Sequence, residues 1–138
     1  MVVLGVMLKG NVARLVALSG RQSAHTVVKS RVNKLELPKN PTKDDVDTFV
    51  QAFKSFCAVN AVDLVAINRR ATSGQGAGGA GTFIAEGVLL ASSPCPVEFF
   101  HPATIKATDR KKAALKTSRP DTADLGNAYD LGFERMPE

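Results

Sequence analysis

Tryptophan is absent from the 138 residues, tyrosine occurs once, and histidine and cysteine occur only twice each. His25, Cys57, Cys95 and His101 stand too far apart for the short-spaced pairs that hold zinc, so Cys/His metal binding is not expected. The two cysteines read as buried thiols in a reducing compartment, with a disulfide between them as the alternative. Long apolar runs are missing too. The most apolar stretches, Val2 to Met7 and Gly87 to Ala91, fall far short of the roughly 20 residues that span a bilayer. No charged segment followed by a long apolar one opens the chain, so the expected location is the cytoplasm, with no membrane partner. Acid is scarce at the start: Glu36 is the only acidic residue among the first 40, against Lys9, Arg14, Arg21, Lys29, Arg31, Lys34 and Lys39.

What is present suits one domain over residues 1–138, with 44% hydrophobic and 22% charged residues. The net charge of +5 is uneven. A second basic cluster, Lys106, Arg110, Lys111, Lys112, Lys116 and Arg119, is opposed only by Asp109. Two such clusters brought to one face would attract a phosphate backbone, whereas the same residues scattered would be an ordinary solvated surface.

Val2 to Met7 is β-branched and apolar, as in a central strand, and Lys9-Gly10-Asn11 turns it into a second strand, Val12 to Leu18. The alternation over Val27 to Leu37 predicts a third strand at an edge guarded by lysines. After Pro38 to Pro41, Thr42 or Lys43 opens a helix with Asp44, Asp45 and Asp47 near its positive end and an apolar stripe of Val46, Phe49, Val50, Phe53, Phe56 and Cys57. Asp63 to Ile67 is a fourth strand, the glycine loop Ser73 to Gly81 leads to a helix over Thr82 to Ser92, and Val97 to Phe100 is a fifth strand. Pro102 begins a helix that continues or frays over Lys106 to Lys116, and a last amphipathic helix follows Asp121, interrupted by Gly126 and Gly132. Hairpins first and crossovers afterwards give an α/β fold, a mixed five-stranded sheet with helices on both faces.

That order is the RNase H-like one, and several stretches resemble its RuvC resolvase branch: LGVMLKGNVARLVAL the first hairpin, LVAINRR the fourth strand, FFHPATIKATDRKKAALK the fifth strand and helix, DTADLGNAY the closing helix. The chain is more closely similar to a bacterial family of unknown function in which G-V-x-L-K-G-N, G-G-A and P-A-T-I-K recur, here at Gly5 to Asn11, Gly78 to Ala80 and Pro102 to Lys106. The superfamily resemblance implies two-metal phosphodiester hydrolysis, with carboxylates on the first strand, the fourth strand and the last helix. Here the first strand offers Met7, Leu8 and Lys9, and the fourth ends in Asn68, Arg69 and Arg70. Only Asp121 and Asp124 remain as catalytic candidates, and Mg2+ or Mn2+ enters only if the chain is a divergent nuclease.

The leading expectation is therefore a catalytically incomplete RNase H-like domain that binds nucleic acid or a nucleotide through a basic cleft of Lys9, Arg69, Arg70, Lys106, Arg110, Lys111 and Lys112, with no cofactor. The alternatives are the divergent nuclease and a non-enzymatic interaction protein that forms a homodimer through an edge strand or the helix from Asp44 to Asn60. Gly74, Gly76 and Gly79 satisfy G-x-G-x-x-G, with Glu98 about 20 residues on. The polar spacer before Gly74 and the hairpin-first order favour a crossover loop over a dinucleotide site. His101, beside Pro102, is expected to be satisfied by the helix N-terminus, and Phe99 and Phe100 to be buried on opposite faces.

Overall fold

A computed structural model describes residues 1–70 and 79–138. The loop residues Ser73, Gly74 and Gly76 thus lie outside the described residues. The strands are β1 (Val2–Lys9), β2 (Val12–Arg21), β3 (Ala24–Val27), β4 (Lys34–Glu36), β5 (Leu64–Asn68) and β6 (Val97–Phe100). The helices are α1 (Lys43–Val59), α2 (Ala80–Ser92), α3 (Pro102–Lys112) and α4 (Ala123–Arg135), with a 3-10 turn at Ala113–Leu115. No described helix is long and apolar enough to cross a membrane.

The sheet runs β3-β2-β1-β5-β6, with β1, β5 and β6 parallel and β2 antiparallel to β1. The expected third strand is two short pieces, β3 and β4, both paired with β2. Residues 28–33 lie opposite only residues 15–17 of β2 between the last β3 pair and the first β4 pair, so continuous pairing is geometrically impossible there. The chain bulges at Lys29, Ser30 and Arg31, and two bonds, Val28 N–H to the Ala17 carbonyl and Leu15 N–H to the Asn33 carbonyl, keep the edge attached.

Strand alternation sorts the core into two layers. Leu4, Val6, Leu8, Val65 and Ile67 face α1 and α2, whose Phe49, Phe53, Phe56, Ala85 and Leu89 are buried against them. Val3, Leu64, Ala66 and Leu18 face α4, which contributes Ala128, Tyr129 and Phe133. Helix α1 begins with a capping box, Thr42 Oγ1 accepting from Asp45 N–H at 3.2 Å and the Asp45 carboxylate from Thr42 N–H at 2.9 Å. Cys57 and Cys95 meet between α1 and the loop before β6 as free thiols. Burial, with Cys95 beside it, pushes the Cys57 thiol up to about 12.

Helix α4 passes unbroken through Gly126 and Gly132, against the interruption that the sequence suggests. The glycines serve close approach instead. A Cβ on Gly5 would lie 1.8 Å from the Ala128 carbonyl oxygen and 2.8 Å from Gly132 N, so α4 rests directly on the backbone of β1. A Cβ on Gly126 would lie 2.7 Å from the Arg119 guanidinium, so this glycine leaves the arginine room to pass.

The recurring motifs have local explanations. Gly10 takes φ +61° in the β1–β2 turn, and Asn11 Nδ2 donates to the Leu37 carbonyl at 2.6 Å. Thr82 Oγ1 in the first turn of α2 donates to the Gly10 carbonyl at 2.8 Å, and Gly79 caps that helix through backbone alone. The start of α2 and the K-G-N turn are thus two halves of one latch.

Candidate functional site

The site is a row of side chains on the α4 face of the sheet, at the end where β1, β5 and β6 finish. Met7 pairs with Arg14 on β2, and Arg14 with Lys34 on β4. On the other side, the β1–β5 register continued from Val6 and Ile67 sets Met7 beside Asn68, which pairs with Phe100 on β6. Read across, the row is Lys34, Arg14, Met7, Asn68 and Phe100. Its β4–β2 half is cationic and the remainder is uncharged.

A cavity of about 330 Å³ opens at the cationic half, lined by Lys9, Arg14 and the first turn of α4, Thr122 to Leu125. The Arg14 Nε is buried and has no hydrogen-bond partner among the described residues. Thr122 occupies the N-cap without a side-chain cap bond, so α4 presents its positive end to the same space. Lys9 is 74% exposed and lies 3.8 Å from Asp124, its one ion pair among the described residues. At that exposure such a pair is worth under about 1 kcal/mol and leaves the ammonium available. Asp121 is exposed on the turn before α4.

A second cavity, of about 250 Å³, lies along the flank of α4 against α3. Met7, Phe100, Pro102, Ile105 and Leu131 form apolar walls, and Asn68, Lys106, Asn127 and Asp130 supply the polar groups. Two of these are already engaged. The Asn68 amide accepts from Leu8 N–H at 2.7 Å and donates to the Leu8 carbonyl at 3.1 Å, extending the parallel ladder with a side chain. A carboxylate can make only the first of these bonds, which gives the amide a structural reason to be there. Asp130, 5% exposed, is held by Lys116 at 2.9 Å and by Arg119 through Nε and Nη2, both at 3.0 Å. These bonds raise the Arg119 pKa above its ordinary value. Lys106 and Asn127 are exposed at the rim.

The structure separates the other predicted cations. The Arg69 guanidinium lies 3.9 Å from the centre of the Phe99 ring. Arg70 lies 3.4 Å over Phe83 and 3.1 Å from Glu86, so it clamps the end of β5 to α2 rather than lining a cleft with Lys9. Arg110 and Lys111 are exposed on α3. Lys112 is bound to Gln22 at 2.8 Å and to Glu138, fastening the end of the chain to the β2–β3 turn. His101 is the N-cap of α3 but its ring makes no cap bond. Phe99 and Phe100 are only partly buried, against opposite core layers.

Sequence reasoning placed Arg14 and Lys34 only within a broad basic cluster and did not single out Asn127 or Asp130. The signal for Arg14 was available: it is the one charged residue inside the apolar run Val12 to Leu18. Among the described residues no three Asp, Glu, His or Cys side chains gather as a metal site requires. Met7 and Asn68 bring no carboxylate, and the Asp130 carboxylate is taken up by two cations, so this donor set does not fit a pair of divalent ions.

Residues 1–134 match the family described as "Protein of unknown function (DUF3010)". The chain belongs to that family. No curated protein matches its sequence. Among solved structures it is similar to Thermus thermophilus RuvC in complex with a Holliday junction substrate, with TM-score 0.72 and 18% identity over 97% of this chain and 91% of that one. It is also similar to the Fowlpox virus resolvase in complex with Holliday junction DNA, with TM-score 0.54 and 10% identity over 96% and 94% of the two chains. At these identities the likeness is one of fold: this DUF3010 member has the RuvC-like, RNase H-like architecture.

Proposed function

We propose that this DUF3010 chain is a non-catalytic RNase H-like domain that holds a nucleic-acid strand by its phosphates along the edge where β1, β5 and β6 end. The observation that carries the reading is the row across that edge. The strand ends at which the resemblance expects acids offer Met7, Leu8 and Lys9 on β1 and Asn68, Arg69 and Arg70 at and after the end of β5, none of them acidic, and the row passes through Met7 and Asn68. Arg14 and Lys34 continue the row, and Lys9 stands beside it at the start of α4. Cations at those places neutralise phosphate without a bound ion, and the positive end of α4 adds to them. Lys106 and Arg110, one turn apart on α3, extend the charge beyond the apolar cavity. Arg70, turned onto α2, has no part in the interface.

Fluorescence anisotropy with a labelled single-stranded oligonucleotide tests this. For about four contacts, Lys9, Arg14, Lys34 and Lys106, the logarithm of affinity falls against the logarithm of salt with a slope of about −3. The double reversal Lys9→Glu and Lys34→Glu weakens binding further and flattens the slope by about 1.4. Absence of association at low salt removes the proposal. Cleavage of the oligonucleotide in magnesium or manganese, abolished by Asp124→Asn, removes its non-catalytic part.

A further inference from the structure

The cavity between α3 and α4 faces the same edge as the cations but has a different chemistry. Its walls are the side chains of Met7, Phe100, Pro102, Ile105 and Leu131, and its inner polar groups are already bonded, Asn68 to Leu8 and Asp130 to Lys116 and Arg119. The polar side chains open to a visitor at the mouth are the exposed Asn127 amide and the Lys106 ammonium. A ligand suited to this arrangement has a flat, largely apolar body, an edge that exchanges hydrogen bonds with an amide, and an anionic group beside it. At about 250 Å³ the cavity is below the roughly 300–1,000 Å³ typical of pockets for drug-sized molecules, so it takes one ring system and not two.

We infer that this cavity receives a single unpaired nucleobase of the bound strand. The base enters against Phe100 and Met7, Asn127 hydrogen-bonds its edge, and Lys106 meets the adjoining phosphate. The inference rests on the proposed phosphate-binding role and adds a preference to it. Phosphate contacts at Lys9, Arg14 and Lys34 serve paired and unpaired strands alike, whereas a base can enter the cavity only when it is out of a duplex. Burying one base against an aromatic or apolar wall should give roughly a tenfold preference for single strands, about 1.4 kcal/mol.

The test uses the full chain with a single-stranded oligonucleotide carrying 2-aminopurine at its centre, and the same oligonucleotide in a duplex. The single strand is expected to bind about tenfold more tightly, with a change in 2-aminopurine emission at saturation that the duplex does not give. Asn127→Met, on the exposed flank of α4, removes the amide and covers the mouth with a long aliphatic side chain without entering the core. It should erase the emission change and the single-strand preference while leaving binding of the duplex as it was. If the unmodified protein binds both forms equally with unchanged emission, the inference fails and the phosphate-binding role stands. The inference fails in the same way if Asn127→Met keeps the full preference and emission change. Failure to bind either form at low salt removes both.

Discussion

The two cavities that α4 helps to build differ in how their polar groups are spent. Along the flank, Asn68 and Asp130 are engaged by Leu8, Lys116 and Arg119, and the inner surface that remains is mostly apolar wall. At the N-terminal end, the buried Arg14 Nε has no hydrogen-bond partner among the described residues, Thr122 makes no side-chain cap bond, and Lys9 is largely in solvent. An apolar wall discriminates by shape and desolvation, whereas unsaturated donors discriminate by charge. One helix thus lines two cavities of different chemistry along a single face. The position of α4 on β1 sets both.

The largest effect should come from moving that helix. Gly5→Val places a side chain where even a Cβ would be 1.8 Å from the Ala128 carbonyl oxygen, and the three nearest atoms are all backbone. Helix α4 must rise off β1, opening the core around Tyr129 and Phe133, at a cost of about 4 kcal/mol or more. Urea unfolding measures it. The control is Gly87→Ala on α2, where a Cβ meets nothing within 4 Å and the helical preference for alanine predicts a gain of about 0.5–1 kcal/mol. Equal midpoints for Gly5→Val and the unmodified chain would show that α4 is not seated by this contact.

Most of this frame was legible in the sequence because it rests on local signals. The apolar run Val2 to Met7, the Thr42–Asp45 cap and the β5 and β6 runs each declare their element, and the hairpin-first order declares the topology. The split edge was hidden because alternation persists through Lys29, Ser30 and Arg31 although their backbone leaves β2. Gly126 and Gly132 misled for a related reason: helix propensity reads a glycine as a break, and only the crossing of α4 over Gly5 and Arg119 shows it as clearance. At the site, spacing could place Lys9 and Asn68 at strand ends. It could not tell that the Arg70 guanidinium turns back onto Phe83 and Glu86, since that depends on where α2 lands.

A smaller effect follows from putting an acid into the engaged half. In Asn68→Asp the carboxylate keeps the bond from Leu8 N–H but faces the Leu8 carbonyl with a lone pair where the amide donated. The loss at neutral pH is about 2 kcal/mol. The partly buried carboxylate and its carbonyl neighbour both favour the protonated form, so its folded-state pKa lies above the unfolded value of about 3.9. A group with a raised folded pKa takes up more protons in the native state, so stability falls as pH rises from the unfolded value through the folded one. The penalty should therefore be large at pH 7.5 and shrink towards pH 4, where the introduced carboxyl group, once protonated, can donate to the Leu8 carbonyl again. Urea midpoints against the unmodified chain that differ by the same amount at both ends would refute this account of why the position carries an amide.

The smallest effect sharpens the charged half, by comparing two arginines at the same end of the sheet. Arg14 holds a buried Nε with no hydrogen-bond partner among the described residues, and Arg69 is exposed but stacked on Phe99 at 3.9 Å. Exposure alone would rank Arg69 as the better phosphate ligand. Partner saturation ranks it lower, because a stacked guanidinium gives up about 0.5–1 kcal/mol to leave its ring and lies outside the Lys34–Arg14–Met7 row. Arg14→Gln should flatten the salt dependence of single-strand binding by about 0.7, the signature of one lost phosphate contact. Arg69→Gln should change it by less than about 0.3 and cost only the stacking energy in stability. The reverse ranking, with Arg69 carrying the salt dependence and Arg14 none, would move the interface off the α4 row and onto the β5–β6 edge.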